Sequence, residues 1–215
     1  MRAVSTILAV SAAGLLAAEG AGAQSFYEPN TLWLSAAVGW QRAVSISDKQ
    51  SEGGWLLSAS RPLTVSLDWG RASRTFGVRV HRTVSPMKLE NYEYAGNHGE
   101  VQSLSVIGAY RASQQLGETP IRQFIELGAG ITRWSDMRGR NGDRLPVISP
   151  VYDFTYSAAI GLGLALRDRL EGFVMFDILM VRHVQQVLVL TPNAKAEASF
   201  GLPSLRLGAR YRLGN

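Results

Sequence analysis

Apolar and polar residues alternate along most of this chain with a period of two, the signature of a strand with one wet and one greasy face. In residues 152 to 167 the even positions are Tyr152, Phe154, Tyr156, Ala158, Ile160, Leu162, Leu164 and Leu166, while the odd ones, Asp153 through Arg167, are small or polar. The same pattern sets Leu32, Leu34, Ala36, Val38 and Trp40 against Trp33, Ser35, Ala37, Gly39 and Gln41. It also sets Leu63, Val65, Leu67 and Trp69 against Thr64, Ser66, Asp68 and Gly70. In 121 to 134 it opposes Ile125, Leu127, Ala129 and Ile131 to Arg122, Glu126, Gly128, Gly130 and Thr132. In 204 to 213 it opposes Leu205, Leu207, Ala209, Tyr211 and Leu213 to Ser204, Arg206, Gly208, Arg210 and Arg212. Weaker stretches at 54–61, 101–111 and 170–183 complete eight predicted strands. The strand from 63 is expected to run on to about Thr83. Its parity changes after Trp69, since Phe76, Val78 and Val80 fall on even positions, so a bulge or break is expected near Gly70 to Arg74.

The alternation also disposes of a tempting motif. Gly161-Leu162-Gly163 begins like a phosphate-cradling loop, but a dinucleotide fingerprint needs Gly-x-Gly-x-x-Gly between a strand and a helix. Here period two runs through both glycines into Ala165 and Arg167, which makes them inward positions of a strand.

Links between the predicted strands alternate in length: 43–53, 84–100, 135–151 and 184–203 are long, whereas Arg61-Pro62, 112–120 and Arg167 to Arg169 are short. Long connections on one side and tight turns on the other are the layout of an outer-membrane barrel. In hydrocarbon every backbone N–H and C=O must be paired, so a sheet crosses a bilayer only by closing on itself. The expected fold class is therefore all-β: an eight-stranded antiparallel up-and-down transmembrane β-barrel after a cleaved signal peptide.

That leader is "MRAVSTILAVSAAGLLAAEGAGAQ": a basic start at Arg2, an Ala-rich apolar core, and Ala21-Gly22-Ala23 as a processing site. Residues 1–23 are read as signal peptide and 24–215 as the barrel domain, exported to the cell outer membrane. The chain has no cysteine, which rules out disulfides, thiolate metal sites and an N-terminal lipid anchor on cysteine. The net charge of +5 favours anionic partners such as lipid phosphates. With no aromatic-interleaved basic stripe, nucleic acid is not an expected partner.

An eight-stranded barrel has an interior just wide enough to be filled by side chains. The three inward arginines of 204–213 would be intolerable in a dry core without partners. A lumen charge network is expected in which Asp68, Glu126, Asp153 and Asp177 face Arg122, Arg206, Arg210 and Arg212, leaving no conducting path. Trp33, Trp40, Trp55, Trp69, Tyr110, Tyr152, Phe154 and Tyr156 lie near strand ends and suit the headgroup level.

The leader, the eight alternating strands and the closing "LRLGARYRL" resemble the small OmpX/OmpA-like outer-membrane β-barrel proteins over the whole mature chain. The resemblance implies a last strand read by the barrel-assembly machinery during insertion. Family members usually end in an aromatic residue, whereas this chain ends Leu213-Gly214-Asn215.

The candidate chemistry is sparse. Some barrels that resemble this one modify lipid A with a His two residues before a Ser. His81, His98 and His183 are followed instead by Arg82-Thr83, Gly99-Glu100 and Val184-Gln185. The least unsuitable trio is His183, Asp177 and Ser157, and no catalytic residue is assigned. In 135–146, Asp136, Asn141 and Asp143 are interrupted by Arg138 and Arg140, which argues against a calcium loop, so no metal or cofactor is expected. Arg133, Arg138, Arg140 and Arg144 are candidate contacts for lipopolysaccharide phosphates, since guanidinium forks suit them. Tyr92, Tyr94, Asn97 and His98 would add an adhesive loop tip.

The reading is a monomeric, non-catalytic outer-membrane barrel of structural or surface-interaction role. Two alternatives remain: a soluble periplasmic barrel that turns its apolar faces inward around an apolar ligand, and an outer-membrane enzyme acting on lipid.

Overall fold

The computed structural model describes residues 29–47, 54–90, 98–135, 138–139, 151–186 and 195–214. The predicted leader and most of the tips at 48–53, 91–97, 136–150 and 187–194 lie outside these residues. Eight long antiparallel strands form the wall: β1 (Thr31–Gln41), β4 (Leu63–Arg71), β5 (Arg74–Glu90), β6 (His98–Gln115), β7 (Ile121–Trp134), β9 (Val151–Arg167), β10 (Leu170–Gln186) and β11 (Lys195–Leu213). Among the described residues three short ones, β2 (Val44–Ser47), β3 (Gly54–Leu57) and β8 (Arg138–Gly139), extend the wall on the long-loop side, with β3 paired to β5 and β8 to β6.

The register shows both closure and tilt. Stepping from strand to strand through directly paired residues, Thr31 leads to Gly70, Thr75, Arg111, Glu126, Ala159, Asp177, Ser204 and finally Gln41. The circuit returns to β1 ten residues above its start, and no ladder edge is left open at that level. Such a stagger forces the strands to tilt by about 40°. At ~3.3 Å per residue, the apolar outward run from Leu164 to Phe154 on β9 then rises roughly 25 Å, the height of the apolar band on outer-membrane barrels.

The links expected at 84–100 and 184–203 are shorter, since β5 runs on to Glu90, β6 begins at His98, β10 runs on to Gln186 and β11 begins at Lys195, and two strand assignments change as well. The segment from 63 to 83 is not one bulged strand but two, β4 and β5, reversed through Ala72-Ser73 with Arg71 paired to Arg74. Gly70 makes this possible: its φ of 142° is left-handed, and a Cβ there would collide with the Arg74 carbonyl. The parity change after Trp69 is the trace of a hairpin. Conversely, 54–61 is not a wall strand. Only Gly54–Leu57 is extended, and the link from β1 to β4 spans 42–62 on the long-loop side, so Arg61-Pro62 is not a short turn of its own. The two differences offset, and the count of eight stands.

The faces sort as the alternation requires. Leu34, Leu67, Leu127, Leu162 and Leu207 point outward and are exposed, while Ser35, Asp68, Glu126, Gly163 and Arg206 point inward and are buried. A soluble barrel around an apolar ligand needs the reverse, and that alternative falls. Trp40, Trp69, Tyr152, Phe154 and Tyr156 are exposed outward near the strand ends, and Phe76 packs on Tyr110 at 4.8 Å near the short-turn end. Trp33 is the exception: it occupies an inward position of β1 and is buried in the lumen. The side chain of Trp55 lies outside the described residues. No helix among the described residues is long and apolar enough to cross a membrane, which says nothing against strands doing so.

Candidate functional site

Among the described residues the lumen holds four fully buried arginines, Arg79, Arg111, Arg206 and Arg210, and five buried carboxylates, Asp68, Glu126, Asp153, Glu171 and Asp177. Their placement follows from cross-strand register, because residues directly opposite on one face bring their Cβ atoms within about 5 Å. Arg111 lies opposite Glu126, and its Nε donates to Oε2 at 3.0 Å, while Arg79 pairs with the other oxygen of the same carboxylate. Glu171 lies opposite Arg210 and accepts from Nη2 at 2.8 Å. Asp177 lies opposite Ser204, which donates to it, and accepts from Arg206 Nη2 at 2.8 Å.

Arg206 is the hub of the middle layer. Its Nε donates to Ser204 Oγ at 3.1 Å and its Nη1 lies against Thr64 and the Nδ1 of His81. A guanidinium can only donate, so His81 Nδ1 accepts and the ring proton sits on Nε2. Beside this hub Ser35 and Ser66, 2.5 Å apart, serve Asp68, which accepts from Ser66 at 2.9 Å. Below it Arg111 stacks 4.1 Å over Phe124 and Arg210 stacks 4.5 Å over Trp33, placing cations on aromatic faces where their desolvation is partly offset. Glycine makes the room: a Cβ on Gly161 would strike the Phe124 ring, and one on Gly163 the Glu171 carboxylate.

Above the hub the chemistry changes. Hydroxyls of Ser105, Thr132 and Thr155 form a chain at 2.7 and 2.6 Å, and Trp134 Nε1 donates to Asp153 at 2.7 Å. Around and above these, Leu57, Met87, Val101, Ile107, Trp134, Leu179, Val181, Phe200 and Leu202 form a buried apolar cluster. Leu57 comes from β3, so the β1–β4 connection supplies part of this plug. Mid-lumen there is a cavity of ≈ 10 Å³ lined by Ser35, Ala37, Thr64, Ser66, Arg79, Arg111, Phe173 and Met175, about the space one water needs.

Of the residues singled out in the sequence, Asp177 and Arg206 meet each other directly. Asp68, Glu126, Asp153 and Arg210 are buried in the lumen with other partners. Arg122 and Arg212 are half-buried at the short-turn mouth. Sequence reasoning does not single out Arg79, Arg111, Glu171 and His81 for the network. The signal is there: Arg79 and His81 share the odd parity opposite Val78 and Val80, and Arg111 the parity opposite Tyr110. Arg133 is exposed on the outward face of β7; the side chain of Arg138, with Arg140 and Arg144, lies outside the described residues. Of the trio considered for lipid chemistry, Ser157 holds an inward position of β9, Asp177 is engaged by Arg206 and Ser204, and the side chain of His183 is not described. Tyr92, Tyr94 and Asn97 are likewise outside, and His98 opens β6.

No family model and no curated protein matches the chain. Solved structures do. The outer membrane protein OprG from Pseudomonas aeruginosa superposes with a TM-score of 0.63 at 9% identity, over 87% of this chain and 98% of that one. Neisserial surface protein A superposes with a TM-score of 0.57 at 11% identity, over 86% and 100%. The chain has the fold of the small outer-membrane β-barrels. At these identities the likeness concerns the wall and its strand count, and leaves the lumen and loops to be read from this barrel's own residues. The outer membrane enzyme PagL lies farther off, with a TM-score of 0.42 at 20% identity over 82% and 98%. A barrel wall by itself does not decide between catalysis and other roles, which depend on the side chains it carries.

Proposed function

We propose that this barrel is an integral outer-membrane protein, exported by its leader and inserted by the barrel-assembly machinery. In this reading it acts as a monomer through its long-loop side, in a structural or surface-interaction role, and its lumen neither conducts nor catalyses. The observation that carries the proposal is the filled interior: among the described residues an ionic lattice occupies the middle of the lumen and an apolar plug the side toward the long loops, and the cavity at mid-lumen has room for about one water. Arg133, Arg138, Arg140 and Arg144 are proposed to meet lipopolysaccharide phosphates, a reading supported by the exposed position of Arg133.

Two experiments test this. Purified protein in planar bilayers should give no steady unitary conductance, and large stable openings would refute the occluded lumen. Membrane fractionation with a heat-shift gel should show a detergent-dependent band whose migration changes on boiling. Release by osmotic shock alone would refute membrane insertion.

A further inference from the structure

Besides pairing with Asp177, Arg206 spans the closing seam of the barrel, where the first strand meets the last. It belongs to β11 and lies opposite Gly39 of β1. Glycine lets it pass, since a Cβ on Gly39 would come within 3.2 Å of Arg206 Cγ. The guanidinium therefore reaches across β1 to Thr64 of β4 and His81 of β5, which face each other in the β4–β5 ladder. Its other nitrogens stay with Asp177 and Ser204. One side chain thus ties β10 and β11, on one side of the seam, to β4 and β5 on the other.

The His81 end of this tie works only with a neutral ring. A guanidinium can only donate, so Nδ1 must offer its lone pair, whereas a ring protonated on both nitrogens is a cation with no acceptor. The surrounding strands hold no carboxylate free to compensate. On β5 itself Arg79 lies two residues away, and Arg79 and Arg206 are the charges that act most strongly on the ring. From β4 comes Thr64, with Asp68 four residues farther down and engaged by Ser66. From β6 comes Ser105. Asp177 of β10 is held by Arg206 and Ser204, Glu126 of β7 by Arg79 and Arg111, and Asp153 of β9 by Trp134. The inward residues of β1 from Trp33 to Gln41 carry no charge.

We propose that His81 and Arg206 form an acid-released clasp on the closing seam. A proton on Nδ1 and the Arg206 contact exclude each other, so uptake of one proton from water frees the guanidinium from β5. The new Nδ1–H then turns to Thr64 Oγ1, which lies 2.9 Å away. The pair with Asp177 is untouched, so the step loosens β5 from β11 without dismantling the rest of the lattice.

The chain has three histidines, so His81→Asn and the converse variant His98→Asn/His183→Asn separate this ring from the others. Asparagine keeps an acceptor for Arg206 but does not titrate in this range. Each full-length form is unfolded with urea in detergent and followed by tryptophan emission, to which the buried Trp33 and Trp134 contribute. The measurements are made at about pH 7.5 and about pH 5.5, roughly one unit either side of the ordinary imidazole value. The unfolded chain takes up a proton in this window that the clasp refuses, so stability falls toward acid. The wild-type unfolding constant is expected to rise about tenfold between the two conditions beyond any change seen in His81→Asn. The converse variant, with His81 as its single histidine, should keep that rise. Nitrogen NMR of its ring should find the proton on Nε2 in the less acidic sample, a readout that stands whether or not His81→Asn folds. An equal rise in His81→Asn, no rise in the converse variant, or a proton on Nδ1 in the less acidic sample would each overturn the clasp.

Discussion

Below the level of Arg206 and Asp177 ion pairs dominate the lumen, beside a small apolar cluster around Phe124 and Phe173, whereas above it apolar contacts dominate, although the same long strands β5, β6, β10 and β11 supply both halves. Among the described residues the lower half carries buried polar atoms without a protein partner, among them Arg79 Nε, Arg111 Nη1, Arg210 Nη1 and Trp33 Nε1, on the side where the strands are joined by turns of two to five residues. The upper half packs apolar side chains around the Ser105, Thr132 and Thr155 hydroxyls and Asp153, and Leu57 from the β1–β4 connection is part of that packing. The difference teaches that a narrow barrel can close its interior in two ways. An ionic lattice tolerates residual water at its edges, whereas an apolar plug excludes water and depends on the loop that covers it.

The largest effect should come from the lattice. Glu126→Ala leaves Arg79 and Arg111 without their shared carboxylate and should lower stability by about 3–5 kcal/mol, read as the urea midpoint of the heat-shift transition in detergent. In the plug, Phe200→Ala opens a void against Trp134 and should cost about 3 kcal/mol or a little more, with no change in the lower lumen. If the losses of the two variants fail to add in the double variant Glu126→Ala/Phe200→Ala, the distinction between ionic and apolar halves is undermined. Turning from inside to outside, Leu207→Arg places a charge mid-height on the lipid face and should cost about 2–4 kcal/mol in bilayers. A soluble barrel would tolerate it with little change. Smallest of all, Arg133→Gln should shift stability by less than about 0.5 kcal/mol, because the side chain is exposed and its expected role is contact with lipid.

The wall is legible in the sequence because period two leaves no choice of face. Leu205, Leu207 and Ala209 against Arg206 and Arg210 fix the inside and outside of β11 without any coordinates. The β4–β5 hairpin is half legible: Phe76 and Val78 show the parity shift, but a two-residue reversal at Ala72-Ser73 carries little turn signal beyond Gly70. The short β3 resembles a wall strand since Trp55 to Leu57 is apolar, and only pairing to β5 reveals it as an extension above the band. Within the lumen, single-strand parity says which charges point inward but not which rungs meet. Glu126 finds Arg111 through the β6–β7 register, and Glu171 finds Arg210 through that of β10 and β11. A place near a strand end suggests the headgroup level for Trp33, yet its odd parity puts it under Arg210 instead.

Insertion in this orientation depends on the leucine face meeting acyl chains and the charged face meeting the axis. The chain has no cysteine, so single cysteines can be placed at 104, 105, 106, 107, 108 and 109 of β6, spin-labelled, and read in lipid bilayers for collision with dissolved oxygen. The structure predicts high oxygen contact at Leu104, Val106 and Gly108 and low contact at Ser105, Ile107 and Ala109. A profile with the opposite phase, or with no period of two, would contradict it.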